Sequence, residues 1–181
     1  MSYIHILRPW QWIKNLLILI PCLLNKPFSQ ESFFDSLTIF FVFSLFVSGN
    51  YILNDIADIK MDKLHPKKRF RPLPSGKIKL NFAKAYSALL IIPSLLYVNL
   101  IDSKLLLYFF LYFLVANLYT HYLKFIFLIN SISISTFFLI RLLIGGEVSN
   151  VNISIYLSTY IFFSSFFIAV LKKNSIIIHQ I

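Results

Sequence analysis

Acidic residues are scarce in this chain: seven Asp and Glu stand against 17 Lys and Arg in 181 residues. Charged residues of both signs reach 13%, roughly half the share usual in a soluble domain. The lone Cys22 excludes a disulfide framework or a thiolate metal cluster within one chain. His5 and His121 have no partner at a zinc-type spacing. Four glycines leave little room for small-residue helix packing, and no internal repeat supports an inverted, transporter-like pair. What abounds is apolar surface, 58% of residues, with 20 Phe, 10 Tyr and 2 Trp. A soluble core of this size cannot hide so much, and a disordered chain does not carry it. Lipid solvates it, and the composition reads as an integral membrane protein. The formal charge of +10 does not point to nucleic acid, because the cations sit in short gaps between apolar runs.

Six apolar runs are expected to form about six transmembrane helices: Ile13–Leu24, Phe33–Leu53, Phe82–Leu100, Leu105–Tyr122, Phe125–Gly146 and Ile153–Leu171. Five are 18 to 22 residues long, enough to cross a hydrocarbon core of ~30 Å as helices. Barrel strands need only about 10 residues and alternate in polarity, so the fold class is all-α. The first run is short and interrupted by Pro21; it reads as a half-span or one extended back through Trp10 and Trp12. Arg8 and Lys14 precede it without a small-residue cleavage site, so it reads as a retained span rather than a signal peptide. If the spans alternate, 14 cations fall on one side and two, Lys26 and Lys104, on the other. That asymmetry puts both termini and the long loop in the cytoplasm. The expectation is a single transmembrane domain over 1–181, with residues 54–81 as its cytoplasmic loop.

That loop holds three of the seven acids, Asp55, Asp58 and Asp62. On a helix they lie at about 0°, −60° and −20° around the axis, on one face. Like charges so placed repel unless a cation sits among them, and hard carboxylate oxygens suit Mg2+ bridged to a substrate phosphate. Asn54 adds a neutral oxygen or an amide donor. Lys67, Lys68, Arg69 and Arg71 follow, a cluster suited to phosphates. Two plainer readings stand beside this one. The acids would pair with Lys60, Lys63 and the basic run at a helix end, and the basic run would be juxtamembrane charge for anionic lipid. The combination at a membrane surface points to a pyrophosphate substrate.

Asn54-Asp55-x-x-Asp58-x-x-x-Asp62 resembles the first aspartate-rich motif of the UbiA superfamily of membrane prenyltransferases. The continuation His65-Pro66-x-Lys68-Arg69-x-Arg71-Pro72-x-x-Ser75-Gly76 is similar to the branch that contains decaprenyl-phosphate phosphoribosyltransferase. So are the opening Leu7-Arg8-Pro9-x-Gln11-Trp12-x-Lys14-Asn15, the pair of motifs Tyr119-Thr120-x-x-Leu123-Lys124 and Leu139-Ile140-Arg141-Leu142-Leu143-Ile144-Gly145. The resemblance runs in order from residue 7 to about residue 173.

The resemblance implies a bundle of nine transmembrane helices with its acidic motifs at the cytoplasmic mouth of a cavity, in a cell inner or plasma membrane. It implies Mg2+ held by Asp55, Asp58 and Asp62, phosphoribosyl pyrophosphate as donor and a polyprenyl (isoprenoid) phosphate as acceptor. Lys68, Arg69 and Arg71 would hold phosphates, with Lys14 and Lys124 reaching from neighbouring helix ends; Asn15, Asn54, Tyr119 and Asn130 complete the substrate side. Two departures stand out. Asn130 occupies the place of a customary Asp, and the sequence ends at Ile181 where family members continue for roughly three helices, with Asn174 and Ser175 after Lys172-Lys173 in place of an acid. A partner chain or a second copy would then cover the exposed side of the cavity. Two further readings therefore stay open: transfer of a prenyl group from its diphosphate to an aromatic acceptor, and a truncated, non-catalytic or partner-dependent membrane protein.

Among other residues, Arg141 lies inside the fifth run, where a structural role, snorkelling towards Glu147, is preferred to a catalytic one. His65 before Pro66 reads as a helix end, and Trp10 and Trp12 as an interfacial belt.

Overall fold

The computed structural model describes residues 2–178. Among them every regular element is helical. In chain order these are α1 (Ser2–His5), a 3-10 stretch (Pro9–Leu19), α2 (Ile20–Leu24), α3 (Gln30–Ala57), α4 (Ile59–Leu64), a 3-10 turn (Lys68–Phe70), α5 (Leu80–Ile101), α6 (Ser103–His121), a 3-10 turn (Leu123–Phe125), α7 (Phe127–Val148) and α8 (Ile155–Ile178). A chain without water must satisfy its peptide groups internally, and the helix does so within one segment, β-branched residues included.

Five helices, α3 and α5 to α8, are long and apolar enough to cross a membrane. The shortest, α6, has 19 residues and so rises about 28 Å. The first apolar run is different. It is wound as an eleven-residue 3-10 stretch followed by the five-residue α2. Pro9 opens the stretch and Pro21 lies in the first turn of α2, where its missing N–H removes a bond an α-helix through both would need. The six runs thus yield five long helices.

The chain divides into two compact units. The first comprises the residues up to Leu16 together with Thr38–Phe109. Within it α3 and α5 approach closely at Gly49, whose missing Cβ would stand 2.6 Å from Ile91 Cγ1. Ser87 Oγ donates to the Gly49 carbonyl at 3.0 Å, a polar contact across two apolar helices. Phe109 packs its ring 5.1 Å from Phe43 and 4.9 Å from Phe46. One turn apart on α3, Ser44 and Ser48 receive the N-terminal segment: Asn15 Nδ2 donates to Ser44 Oγ at 2.9 Å and Trp12 Nε1 to Ser48 Oγ at 3.0 Å. A smaller core of Ile6, Ile52, Leu73, Ile78 and Ala83 lies under the loop between α3 and α5, with Ile56 and Ile59 against it. Burial of Leu73 and Ile78 contributes about 1.5–3 kcal/mol each and anchors the returning limb of that loop. Gly76 turns it, at φ 76, a conformation that costs a side-chain-bearing residue.

The second unit comprises Leu17–Leu37 and the residues from Phe110 onward. Its α7 carries a buried stripe that includes Ser131, Ser135, Arg141, Leu142 and Gly145. A Cβ on Gly145 would overlap the backbone carbonyl of Ile18, so glycine there sets how closely the 3-10 stretch lies on α7. Arg141 is buried, not extended to a helix end. Its guanidinium donates to the Phe137 carbonyl at 2.6 Å and to the Tyr112 hydroxyl at 3.2 Å, and lies over the Tyr112 ring.

Candidate active site

The three loop acids occupy a helix that breaks once. Asp55 is in the last turn of α3, Asp62 is in α4, and Asp58 lies between them with φ −90 and ψ 0. Backbone bonds cross the break, Asp58 N to Asn54 O at 3.0 Å and Asp62 N to Asp58 O at 2.8 Å, so the helical phase is nearly kept. Asp55 and Asp62 consequently still face one way. Both are buried, at 3% and 2% exposure, and both meet Arg71. A single nitrogen, Arg71 Nη1, stands 2.7 Å from Asp62 Oδ2 and 3.4 Å from Asp55 Oδ1. Lys68 Nζ reaches Asp62 at 3.8 Å.

Asp58 is only half-buried and its Oδ2 accepts from Asn54 Nδ2 at 3.3 Å. Among the described residues no three acidic, His or Cys side chains gather as a metal cluster, so the expected trio is arranged as a convergent pair plus a neighbour. The plainer expectation of ion pairing at a helix end is met in part, by Lys68 and Arg71 of the basic run.

Arg8 was not among the expected site residues, and it is the second guanidinium on Asp55: Nη2 donates to Oδ1. Its backbone is left-handed, φ 53, and its side chain lies over the Tyr51 ring. An arginine in that region immediately before a proline is strained, which is characteristic of functional positions. The local signal was Leu7-Arg8-Pro9; the partner 47 residues away left no local trace.

Beside these acids is a cavity of about 510 Å3. Arg8, Lys67, Arg71 and Lys77 line it against one acid, Asp55, with Trp10 and Phe70 as apolar walls. Four cations around one carboxylate suit a multiply charged anion, and guanidinium groups suit phosphate in particular. Asp55 and Asp62 are hard oxygen donors that, released from Arg71, would hold a divalent cation able to offset phosphate charge. The donor set therefore fits Mg2+.

The other expected residues are placed as follows. Arg69 is exposed and stacks on Phe70 at 4.8 Å, and Lys14 is exposed on the 3-10 stretch. Asn15 is fully buried, spent on Ser44. Tyr119, Lys124 and Asn130 belong to the second unit. Tyr119 meets Phe137 edge-on at 5.9 Å, and Asn130 Nδ2 donates to the Lys124 carbonyl at 3.0 Å, closing the turn before α7. The side chains of Asn174 and Ser175 lie outside the described residues.

A model of the UbiA prenyltransferase family matches residues 18–176. The decaprenyl-phosphate phosphoribosyltransferase of Mycolicibacterium smegmatis is 31% identical over 175 residues, 94% of this chain and 55% of that protein. The digeranylgeranylglyceryl phosphate synthase of Methanocaldococcus jannaschii is 37% identical over 107 residues, 55% of this chain and 35% of that protein. A UbiA homolog from Archaeoglobus fulgidus, solved bound to GPP and Mg2+, superposes with TM-score 0.75 at 19% identity, covering 92% of this chain and 60% of that one. The chain thus spans about 55% of the length of the phosphoribosyltransferase it matches.

Proposed function

Because the chain belongs to the UbiA prenyltransferase family, a family of membrane transferases, we propose that it moves a 5-phosphoribosyl group from phosphoribosyl pyrophosphate to a polyprenyl phosphate. The observation that carries this reading is buried Asp55, opening on a cavity ringed by Arg8, Lys67, Arg71 and Lys77 and joined through Arg71 to the equally buried Asp62. The similarity to the Mycolicibacterium smegmatis phosphoribosyltransferase over 94% of this chain supports the same choice of donor.

In this proposal Asp55 and Asp62 hold Mg2+, with Asp58 as third carboxylate on the helical phase argument alone. When bound, the metal would offset negative charge on the departing pyrophosphate. Arg71 and Lys68 exchange their carboxylate partners for donor phosphates, and Arg8, Lys67 and Lys77 hold the rest of the anion. Arg69, Lys14, Asn15, Asn54, Tyr119, Lys124 and Asn130 are retained on the substrate side by the resemblance. An oxygen of the polyprenyl phosphate attacks the anomeric carbon as the bond to pyrophosphate breaks, so one C–O bond replaces another and pyrophosphate leaves. The active face is cytoplasmic, on the excess of cations beside the acids.

A second reading has its own support. The match to a digeranylgeranylglyceryl phosphate synthase, at 37% identity, favours transfer of a prenyl group from its diphosphate. The test is incubation of the purified protein in nanodiscs with Mg2+, a polyprenyl phosphate and ribose-labelled phosphoribosyl pyrophosphate. Label passing into the organic phase is the expected result. No transfer, while a full-length phosphoribosyltransferase succeeds in the same preparation, would overturn the proposal and favour prenyl transfer or a partner-dependent subunit.

A further inference from the structure

The loop between α3 and α5 has a second face, turned away from the acids. With Asp62 directed inward, Lys60 and Leu64 lie on the opposite side of α4 and Met61 and Lys63 on its flanks. The structure agrees: Asp62 is buried at 2%, whereas Met61 is 61% and Leu64 87% exposed. Lys60 and Lys63 are exposed as well.

Neither component explains the other. Cations that served only a soluble phosphate would not need two large apolar side chains, Met61 and Leu64, exposed between them. An apolar patch made for a protein partner would be depleted of lysine at its core. Interleaved cations and apolar side chains are what the boundary between headgroups and acyl chains selects. Position argues the same way. The segment connects Ala57, the end of one helix able to cross a membrane, to Leu80, the start of the next, so both its ends lie at one bilayer surface. At six residues α4 is only about 9 Å long. Ile59 packs on the core that includes Ile52 of α3, which holds α4 down against the end of that helix.

We propose that the outward face of α4 docks on anionic lipid of the bilayer the protein spans. Lys60 and Lys63 meet headgroup phosphates, while Met61 and Leu64 enter the acyl boundary. The proposal does not depend on which group the enzyme transfers.

Hydrogen exchange of the intact protein, read by mass spectrometry in nanodiscs, tests it. Residues 59–64 are expected to exchange on the order of tenfold more slowly in phosphatidylcholine containing phosphatidylglycerol than in phosphatidylcholine alone, with α5 and α6 unchanged. Lys60→Gln with Lys63→Gln should remove most of that protection. Exchange in α5 and α6 checks that the variant has folded; should it fail, Lys63→Gln alone carries the test. Equal protection in both lipids, or protection indifferent to the lysines, would overturn the proposal. So would protection produced by inorganic pyrophosphate in phosphatidylcholine to the same extent, which would assign the cations to a soluble anion.

Discussion

Replacing Arg71 by glutamine takes from two buried carboxylates the nitrogen they share, 2.7 Å from Asp62 and 3.4 Å from Asp55. The two acids do not lose equally. Asp55 keeps Arg8. Asp62 keeps Lys68, but at 3.8 Å and with a side chain 45% exposed, so solvent screening holds that pair to about 0–1 kcal/mol. The loss therefore falls on Asp62, whose short charge-assisted bond to Arg71 is worth about 1.5–3 kcal/mol. Adding the cost of a stranded buried charge, Arg71→Gln should destabilise by about 3 kcal/mol, the lower end for a broken buried pair. Asp62→Asn made in that background should cost little more, because it deletes the charge that was stranded. The double-mutant cycle should show a coupling of about 2 kcal/mol. Reversible unfolding by dodecyl sulfate in mixed micelles, followed by tryptophan fluorescence, is the assay. Both tryptophans, Trp10 and Trp12, lie in the same unit as Arg71 and report on it. A coupling below about 0.5 kcal/mol would refute the reasoning, since contacts in one network couple by more than that.

Asp55→Asn and Asp58→Asn should each abolish Mg2+-dependent transfer while membrane insertion is kept; full turnover by either, measured by label partition, would sink the carboxylate mechanism. Arg8→Gln should weaken binding of phosphoribosyl pyrophosphate about tenfold, the loss of one charged contact, in equilibrium binding to nanodiscs. An unchanged affinity would make Arg8 a structural partner of Asp55 only. Gly145→Ala should destabilise the second unit by about 1–3 kcal/mol, as overpacking does, because its methyl meets the Ile18 carbonyl. The rate at which buried Cys22, four residues beyond Ile18, reacts with a maleimide should rise in step.

The long helices were legible because lipid imposes one rule on every residue of a span: apolar runs Phe82–Leu100 and Phe125–Gly146 are α5 and α7 to within a few residues at either end. The winding of the first run was not. Pro21 marks an interruption, but the choice between a kinked α-helix and a 3-10 stretch is made by packing, here Asn15 on Ser44 and Trp12 on Ser48. Helical phase puts Asp55 and Asp62 on one side, where Arg71 meets both, and Asp58, at the break, accepts a bond from Asn54. Arg71 sits nine residues from Asp62, within reach of local reasoning. Arg8 does not, because an ion pair across 47 residues has no periodicity to betray it.

That separation also sets an order on biogenesis. A ribosome adding about 5–20 residues per second makes Arg8 several seconds before Asp55, 47 residues later, exists to receive it. Asp55 in turn precedes Arg71 by 16 residues. The guanidinium of Arg8 therefore stays solvated until the last turn of α3 has been made. The ion-pair cluster is complete only once Arg71, the piece that joins both acids, has been made.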